Sequence, residues 1–211
     1  MDFFDRLEAA RERWNVLEHS FYTRWSAGEL TTEELGFYAG QYRHAVVALA
    51  GSLRSAAESA EPPLRKPLER HAAEEEAHVA LWDRFGEAVG ADDAAEPRPE
   101  TARCVESWSA GRDTLERLVA SYAVESGQPA VSRTKLEGLV AHYAVDKGPA
   151  TEYFSLHAEL DVEHAAESRA LIEERLEGAD HERLLELAED ALRGNWELLD
   201  GVERAFERTR A

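Results

Sequence analysis

The segment YFSLHAELDVEHA, residues 153–165, carries two histidines and an aspartate at helical spacing. At 100° per residue, Asp161 lies about 40° from His157 around a helix, and His164 lies about 20° away on the other side. Leu160 and Tyr153 border the same narrow stripe, so the three polar side chains are expected to face the protein interior. A buried carboxylate between imidazoles needs a partner that offsets its lost hydration, and a divalent metal is one such partner. For this motif alone, a hydrogen-bonded structural His-Asp-His network is the alternative.

A second polar pair lies in LERHAAEEEAHVALWDRF, residues 68–85. Glu75 and His78 are three residues apart and share one helix face with Leu68 and Trp82. His71 lies one turn before Glu75 on the same face. It could be an extra ligand, a hydrogen-bond donor to a ligand or a core histidine, and the last two are favoured.

A third acidic residue, Glu125, aligns with Leu118 and Tyr122 on the buried side of LERLVASYAVESGQP, residues 115–129. A lone glutamate near a helix end is usually solvated or caps the helix. Glu125 is therefore a candidate ligand mainly because the two other clusters are present. The full candidate set is Glu75, His78, Glu125, His157, Asp161 and His164. Three carboxylates and three imidazoles suit two iron or manganese ions in a helical bundle, with open positions for oxygen. A mononuclear zinc site would need only three protein ligands.

The elements that must position these residues are helices. Glycine and proline cluster in short breaks, and the segments between them have a 3.6-residue hydrophobic period with no β-type alternation. We predict one all-α domain over residues 1–211, built as a seven-helix bundle. The predicted helices are 3–27, 32–60, 63–90, 99–126, 129–145, 149–178 and 180–208.

Composition limits the partners and the compartment. The formal net charge is −19, from 24 basic and 43 acidic side chains, which disfavours nucleic acid and anionic membranes as partners. No apolar run approaches the roughly 18 residues of a membrane span, and the N-terminus lacks the order of a signal peptide, so a cytoplasmic location is expected. The single cysteine, Cys104, excludes an internal disulfide and a cysteine-based zinc cluster.

The three ligand-bearing segments and one more stretch carry a family resemblance. HVALWDRF, YAVESGQP and HAELDVEHA, together with LEHSFYTRWSAGELTTEELGFYAGQY at residues 17–42, resemble the haem-oxygenase-like di-iron oxidases, a superfamily that includes TenA and PqqC. The resemblance covers about residues 3 to 178 and the segment NWELLDGVERAF. It implies a haem-oxygenase-like seven-helix bundle, usually a homodimer, that binds two ferrous ions and activates O2. It also implies that the six residues named above fall on the ligand positions of the family. Iron and manganese both accept this ligand set.

The pattern is most similar to the CADD-like, para-aminobenzoate-synthase branch. Tyr22, Tyr42 and Lys135 match positions that this branch uses, which implies that Tyr22 and Lys135 are catalytic. There an enzyme tyrosine is thought to supply the ring and a lysine the amino group. Two features differ: the Glu75-x2-His78 spacing is that of the fatty-acid-cleaving branch, and Val124 occupies a position where the branch has tyrosine.

Other functions therefore stay open. One is di-iron oxidative C–C cleavage or N-oxygenation of a small fatty-acid or amino-acid substrate. Another is a cofactorless or thiaminase-like enzyme on the same fold, and a third is a helical interaction protein without enzymatic activity. At the residue level, Tyr22 could be a packing aromatic and Lys135 an ordinary surface lysine.

Overall fold

The computed structural model describes the backbone of residues 2–210 and their side chains except those of residues 160–163 and 208–210. Within this range the chain forms nine α-helices and one short 3₁₀ helix, without strands. The α-helices are α1 Phe3–Arg13, α2 Ser20–Ala27, α3 Thr32–Ser59, α4 Pro62–Val89, α5 Pro99–Trp108, α6 Thr114–Glu125, α7 Gln128–His142, α8 Glu152–Glu173 and α9 His181–Arg210. The predicted all-helical class is confirmed, with nine described helices where the sequence predicted seven.

The first predicted helix is divided because local side chains bond to the backbone. After α1, the Asn15 side chain accepts a hydrogen bond from the backbone N–H of Leu17 and begins the 3₁₀ helix Val16–Glu18. The His19 ring then accepts from the backbone N–H of Phe21 and begins α2. Such bonds offer the backbone an alternative to a continuous helix.

The predicted helix 99–126 is also divided. Gly111 has a φ of 125°, in a region that favours glycine, and so turns the chain after α5. The Asp113 carboxylate accepts from the backbone N–H of Glu116 and caps the start of α6. This break leaves α6 as a separate helix that ends at Glu125, a candidate ligand.

Two groups of buried apolar side chains form the core. The larger is rich in aromatic rings and includes Trp25, Tyr38, Trp82, Trp108 and Phe154. The smaller packs α1, α6 and α9 together. Helix α4 packs against α3 and α8, and α6 packs against α8, so the three segments with candidate ligands meet inside the bundle. In the described part of the chain, no helix is long and apolar enough to cross a membrane.

Candidate functional site

Helix α4 supplies three buried polar side chains to the centre of the bundle. His71, Glu75 and His78 are 7%, 4% and 4% exposed. Their spacing of four and three residues places them on one side of the helix. That side also carries Leu68 and Trp82, as the hydrophobic period predicts.

The first cluster joins α4 to α8. Glu75, His78 and His157 each offer a ligand atom within 4.8 Å of the others. His78 Nδ1 lies 2.9 Å from Glu75 Oε1, and His157 Nε2 lies 3.9 Å from Glu75 Oε2. His157 Nδ1 lies 2.7 Å from the Tyr153 carbonyl oxygen, which can only accept, so Nδ1 carries the proton and Nε2 is available as a ligand.

The second cluster shares Glu75 with the first. His71, Glu75 and His164 offer ligand atoms within 4.8 Å of one another. Glu125 from α6 closes this cluster, with Oε1 3.4 Å from His71 Nε2. His164 Nε2 also lies 3.0 Å from Oε2 of the half-buried Glu74. Because Glu75 belongs to both clusters, its carboxylate is placed to bind two metal ions.

The electrostatics of these clusters favour cations. Burial raises the pKa of Glu75, but the neighbouring imidazoles of His157 and His78 outweigh burial and hold that pKa well below its usual range. Burial lowers the pKa of His71, whereas the carboxylates of Glu125, Glu75 and Glu74 raise it, and the net result is a pKa of about 9. Glu75 is therefore held as a carboxylate, and the carboxylates around His71 attract positive charge.

Buried polar atoms at the same place lack hydrogen bonds. Both carboxylate oxygens of Glu125, Nε2 of His71 and Nε2 of His157 are buried without a hydrogen-bond partner. Leaving such groups unsatisfied costs about 1–3 kcal/mol each, and more when the group is charged. Divalent metal ions would satisfy all three side chains at once, so these residues fit a metal site.

Five of the six predicted ligands are brought together by the structure. These are Glu75, His78, Glu125, His157 and His164. The side chain of Asp161 lies outside the described residues, although the backbone there belongs to α8. His71, which the sequence favoured as a non-ligand, lies among the candidate ligands. Its position one turn before Glu75 was the signal that could have identified it.

Lys135 of α7 lies in a second buried site beside the first. The residue is 1% exposed, so the alternative of a surface lysine is wrong. Its Nζ lies 4.5 to 5.8 Å from the ring centroids of five aromatic residues. These residues, with Lys135, form what we call the lysine chamber: Tyr22, Tyr38, Tyr42, Trp82 and Phe154. Burial lowers the pKa of Lys135 to about 7.

The tyrosines of the lysine chamber are in mutual contact. The Tyr22 and Tyr38 hydroxyl oxygens are 3.3 Å apart, and burial raises the pKa of both phenols well above its usual value. Gln128 Nε2 donates to the Tyr42 hydroxyl at 3.2 Å. Sequence reasoning singled out Tyr22 and Tyr42 but missed Tyr38. Its position one helical turn before Tyr42 could have indicated it.

Tyr153 lies between the lysine chamber and the two clusters of candidate metal ligands. Tyr153 stacks on His157 with centroids 3.9 Å apart. The Trp82 ring lies 4.9 Å from Tyr153 and 4.9 Å from Tyr42. The aromatic contacts are therefore continuous from the candidate ligand His157 to Tyr42 of the lysine chamber.

The single cysteine is remote from this chemistry. Cys104 is fully buried in α5, and burial raises the pKa of its thiol, with a smaller contribution from Glu197. A thiol in this state supplies almost no thiolate at neutral pH. The geometry therefore gives no support to a thiaminase-like cysteine nucleophile.

A cavity of about 350 Å³ lies between α1 and the junction of α6 with α7. Its walls include Val124, Val131 and Gln128. Gln128 is also the residue that donates to Tyr42 of the lysine chamber. The Gln128 side chain thus lies between the cavity and the lysine chamber.

Solved structures of low sequence identity share the fold. A domain of unknown function with a heme oxygenase-like fold from Shewanella denitrificans OS217 superposes with a TM-score of 0.83 at 17% identity, covering 100% of this chain and 96% of that one. A TenA homologue from P. horikoshii OT3 gives a TM-score of 0.80 at 18% identity, covering 97% and 99% of the two chains. The predicted haem-oxygenase-like fold is confirmed.

Curated relatives match nearly the whole chain. A 4-aminobenzoate synthase of Chlamydia muridarum is 32% identical over 95% of this chain and 89% of its own length. A 4-aminobenzoate synthase of Nitrosomonas europaea is 28% identical, covering 97% and 92%. The profile of a family described as iron-containing redox enzyme matches residues 69–200, which include all six predicted ligands and Lys135. The chain therefore belongs to this family of iron-containing redox enzymes.

Proposed function

We propose that this protein is a non-haem di-iron (or iron–manganese) oxidase that uses O2 to form 4-aminobenzoate from its own Tyr22 and Lys135. The observation that carries the proposal is the Lys135 amine, buried among tyrosines, one ring layer from the carboxylate and imidazole clusters. The naming of two relatives as 4-aminobenzoate synthases supports the same reaction.

The metal ions would be held by Glu75, His78, Glu125, His157 and His164, with Asp161 as the sixth predicted ligand. When bound, the metal pair would supply electrons that activate O2 for oxidation. The protein contributes the ligand geometry, the exclusion of bulk water and the tautomer of His157. The Tyr153 carbonyl fixes that tautomer by accepting from Nδ1.

The amine of Lys135 is prepared for nitrogen transfer by burial. A nucleophilic amine needs a free electron pair, and a pKa of about 7 leaves a large share of this amine neutral at physiological pH. Within the described part of the chain, no carboxylate pairs with the amine to keep it protonated. The surrounding rings hold Nζ in place, and the nitrogen lies close enough to react with one of them.

The carbon count of the product matches a tyrosine ring and its Cβ. Forming 4-aminobenzoate from them requires cleavage of the Cα–Cβ bond and oxidation of Cβ to a carboxylate. It also requires replacement of the phenol oxygen, which leaves as water, by Nζ. Cleavage of the Nζ–Cε bond would leave Cε as an aldehyde, and Cα would keep a hydrogen in place of Cβ. O2 accepts the electrons of these oxidations and is reduced to water. The Tyr22 ring centroid is 5.8 Å from Nζ, and the Tyr38 hydroxyl holds the Tyr22 hydroxyl at 3.3 Å.

A second candidate function is oxidation of an external small molecule, namely C–C cleavage or N-oxygenation of a fatty-acid or amino-acid substrate. The cavity beside Gln128 favours it, because about 350 Å³ can hold a small substrate against the side chain that donates to Tyr42. In that case Lys135 and the tyrosines would line the binding site and stay intact.

The test is an anaerobic Fe(II) titration followed by exposure to O2, with intact-protein mass spectrometry and chromatographic detection of 4-aminobenzoate. We expect about two metal ions per chain, formation of 4-aminobenzoate, and loss of mass at Tyr22 and Lys135. Lys135→Met should abolish the product, whereas the matched control Lys147→Met, at an exposed position, should behave as wild type.

The other outcomes are equally decisive. Absence of metal binding would contradict the oxidase proposal. Metal binding with an unchanged protein mass, and O2 consumption only when a small acid or amine is added, would support the second candidate function instead.

A further inference from the structure

We propose that His71 is a seventh metal ligand, which binds the same ion as Glu125 and His164. This inference rests on the proposed use of two metal ions, and it changes the assignment of the residues that hold them. The six ligands implied by family resemblance do not include His71.

The distance between His71 and Glu125 fits two ligands of one ion. His71 Nε2 and Glu125 Oε1 are 3.4 Å apart, and neither atom has a hydrogen-bond partner. A well-formed N–H···O bond would be about 2.9 Å long. By contrast, metal bonds of about 2.1 Å place adjacent ligand atoms about 3.0 Å apart in octahedral and about 3.4 Å apart in tetrahedral geometry.

His71 is buried beside carboxylates and a second imidazole. The residue is 7% exposed, and its ring packs against the His164 ring with centroids 4.4 Å apart. Its ligand atom lies within 4.8 Å of those of Glu75 and His164. Nε2 is thus directed at the other members of the second cluster and away from solvent.

Adding His71 also gives the two clusters the same number of imidazoles. The first cluster has His78 and His157 with the shared Glu75. Without His71, the second cluster would have His164 as its one imidazole within the described residues. With His71, each ion receives two imidazoles and the shared carboxylate, and the second ion also receives Glu125.

The alternative role for His71 is a hydrogen-bond donor that orients Glu125. Loss of such a partner typically costs 10–100-fold in metal affinity, so affinity alone would not separate donor from ligand. The decisive readout is therefore the number of imidazoles bound to the metal.

We would load the full-length protein anaerobically with Co(II) and measure its stoichiometry and the paramagnetic NMR spectrum of histidine-labelled protein. Wild type should bind two ions and show four coordinated imidazoles, from His71, His78, His157 and His164. His71→Gln should show three, with the second ion bound at least about tenfold more weakly. The control His142→Ala removes an exposed histidine and should leave all four.

Failure of the inference and failure of the proposed function look different. Wild type that binds two ions with three coordinated imidazoles would overturn the role of His71 alone, because the metal pair would remain. Wild type that binds no Co(II) and no Fe(II) would overturn both. The count in wild type needs no variant, so a His71→Gln protein that fails to fold would not affect the conclusion.

Discussion

Among the individual residues, Lys135 is the one whose burial both makes its amine more reactive and destabilises the folded protein. A lysine whose pKa falls to about 7 on folding must release its proton or remain charged among apolar rings. The ring faces of Tyr42 and Trp82 attract the cation and offset part of this cost. A residue retained in so unfavourable a place is expected to serve the reaction, and the proposed function gives it the role of nitrogen donor.

This cost predicts that Lys135→Met stabilises the protein in a pH-dependent manner. The folded-state pKa is lowered, so the unfolded chain binds the extra proton between about pH 7 and 10.5. In that window, wild-type stability rises with pH relative to the variant by up to about 1.4 kcal/mol per pH unit. The advantage of Lys135→Met should thus be largest below about pH 7 and decline as the pH rises.

Urea denaturation of the metal-free proteins across this pH range would measure the difference in the free energy of unfolding. Lys147→Met is the control, because an exposed lysine should give a difference that is small and independent of pH. An advantage that grew with pH would mean that the Lys135 amine is stabilised as a cation in the folded protein.

At the scale of elements, the position of Lys135 depends on how closely α7 approaches α2. A Cβ added at Gly138 would lie 2.5 Å from Cδ1 and Nε1 of Trp25. The same indole nitrogen donates to the Lys135 carbonyl oxygen at 3.2 Å, one turn earlier in α7. Gly138 therefore sets the contact that positions the lysine chamber.

We expect Gly138→Ala to destabilise the protein by about 1–3 kcal/mol and to reduce product formation, because α7 must move away from Trp25. The matched control is Gly51→Ala in α3, where nothing lies within 4 Å of the new Cβ. There the better helix propensity of alanine should stabilise the protein by about 1 kcal/mol. Thermal unfolding and the 4-aminobenzoate assay would measure both effects. Equal behaviour of the two variants would contradict the close packing of α7 on α2.

The sequence could predict the elements because each depends on local pattern. Hydrophobic periodicity located the long helices and placed Glu75, His78 and His157 on buried faces. It missed the breaks at Asn15 and Asp113, where single side chains bond to nearby backbone. It also could not locate the lysine chamber, because the burial of Lys135 comes from rings on four different elements.

At the scale of the whole molecule, the dominant feature is excess negative charge. The chain has 43 acidic and 24 basic side chains, and many of the basic ones already pair with carboxylates at the surface, as Arg54 does with Glu76. Such exposed pairs contribute about 0–1 kcal/mol each. The unpaired excess repels itself throughout the surface, and this repulsion disfavours the compact state.

Salt should therefore stabilise the protein at neutral pH. The Debye length falls from about 10 Å at 0.1 M to about 3 Å at 1 M, so NaCl screens the long-range repulsion more than it weakens close pairs. We expect the Tm of the metal-free protein, measured with a chelator present, to rise with NaCl at pH 7.5. Near pH 5, close to the sequence pI of about 4.8, the net charge is small, and the rise should shrink or reverse. A Tm that falls with NaCl at pH 7.5 would mean that the surface ion pairs outweigh the repulsion, and that the acidic excess has little effect on stability.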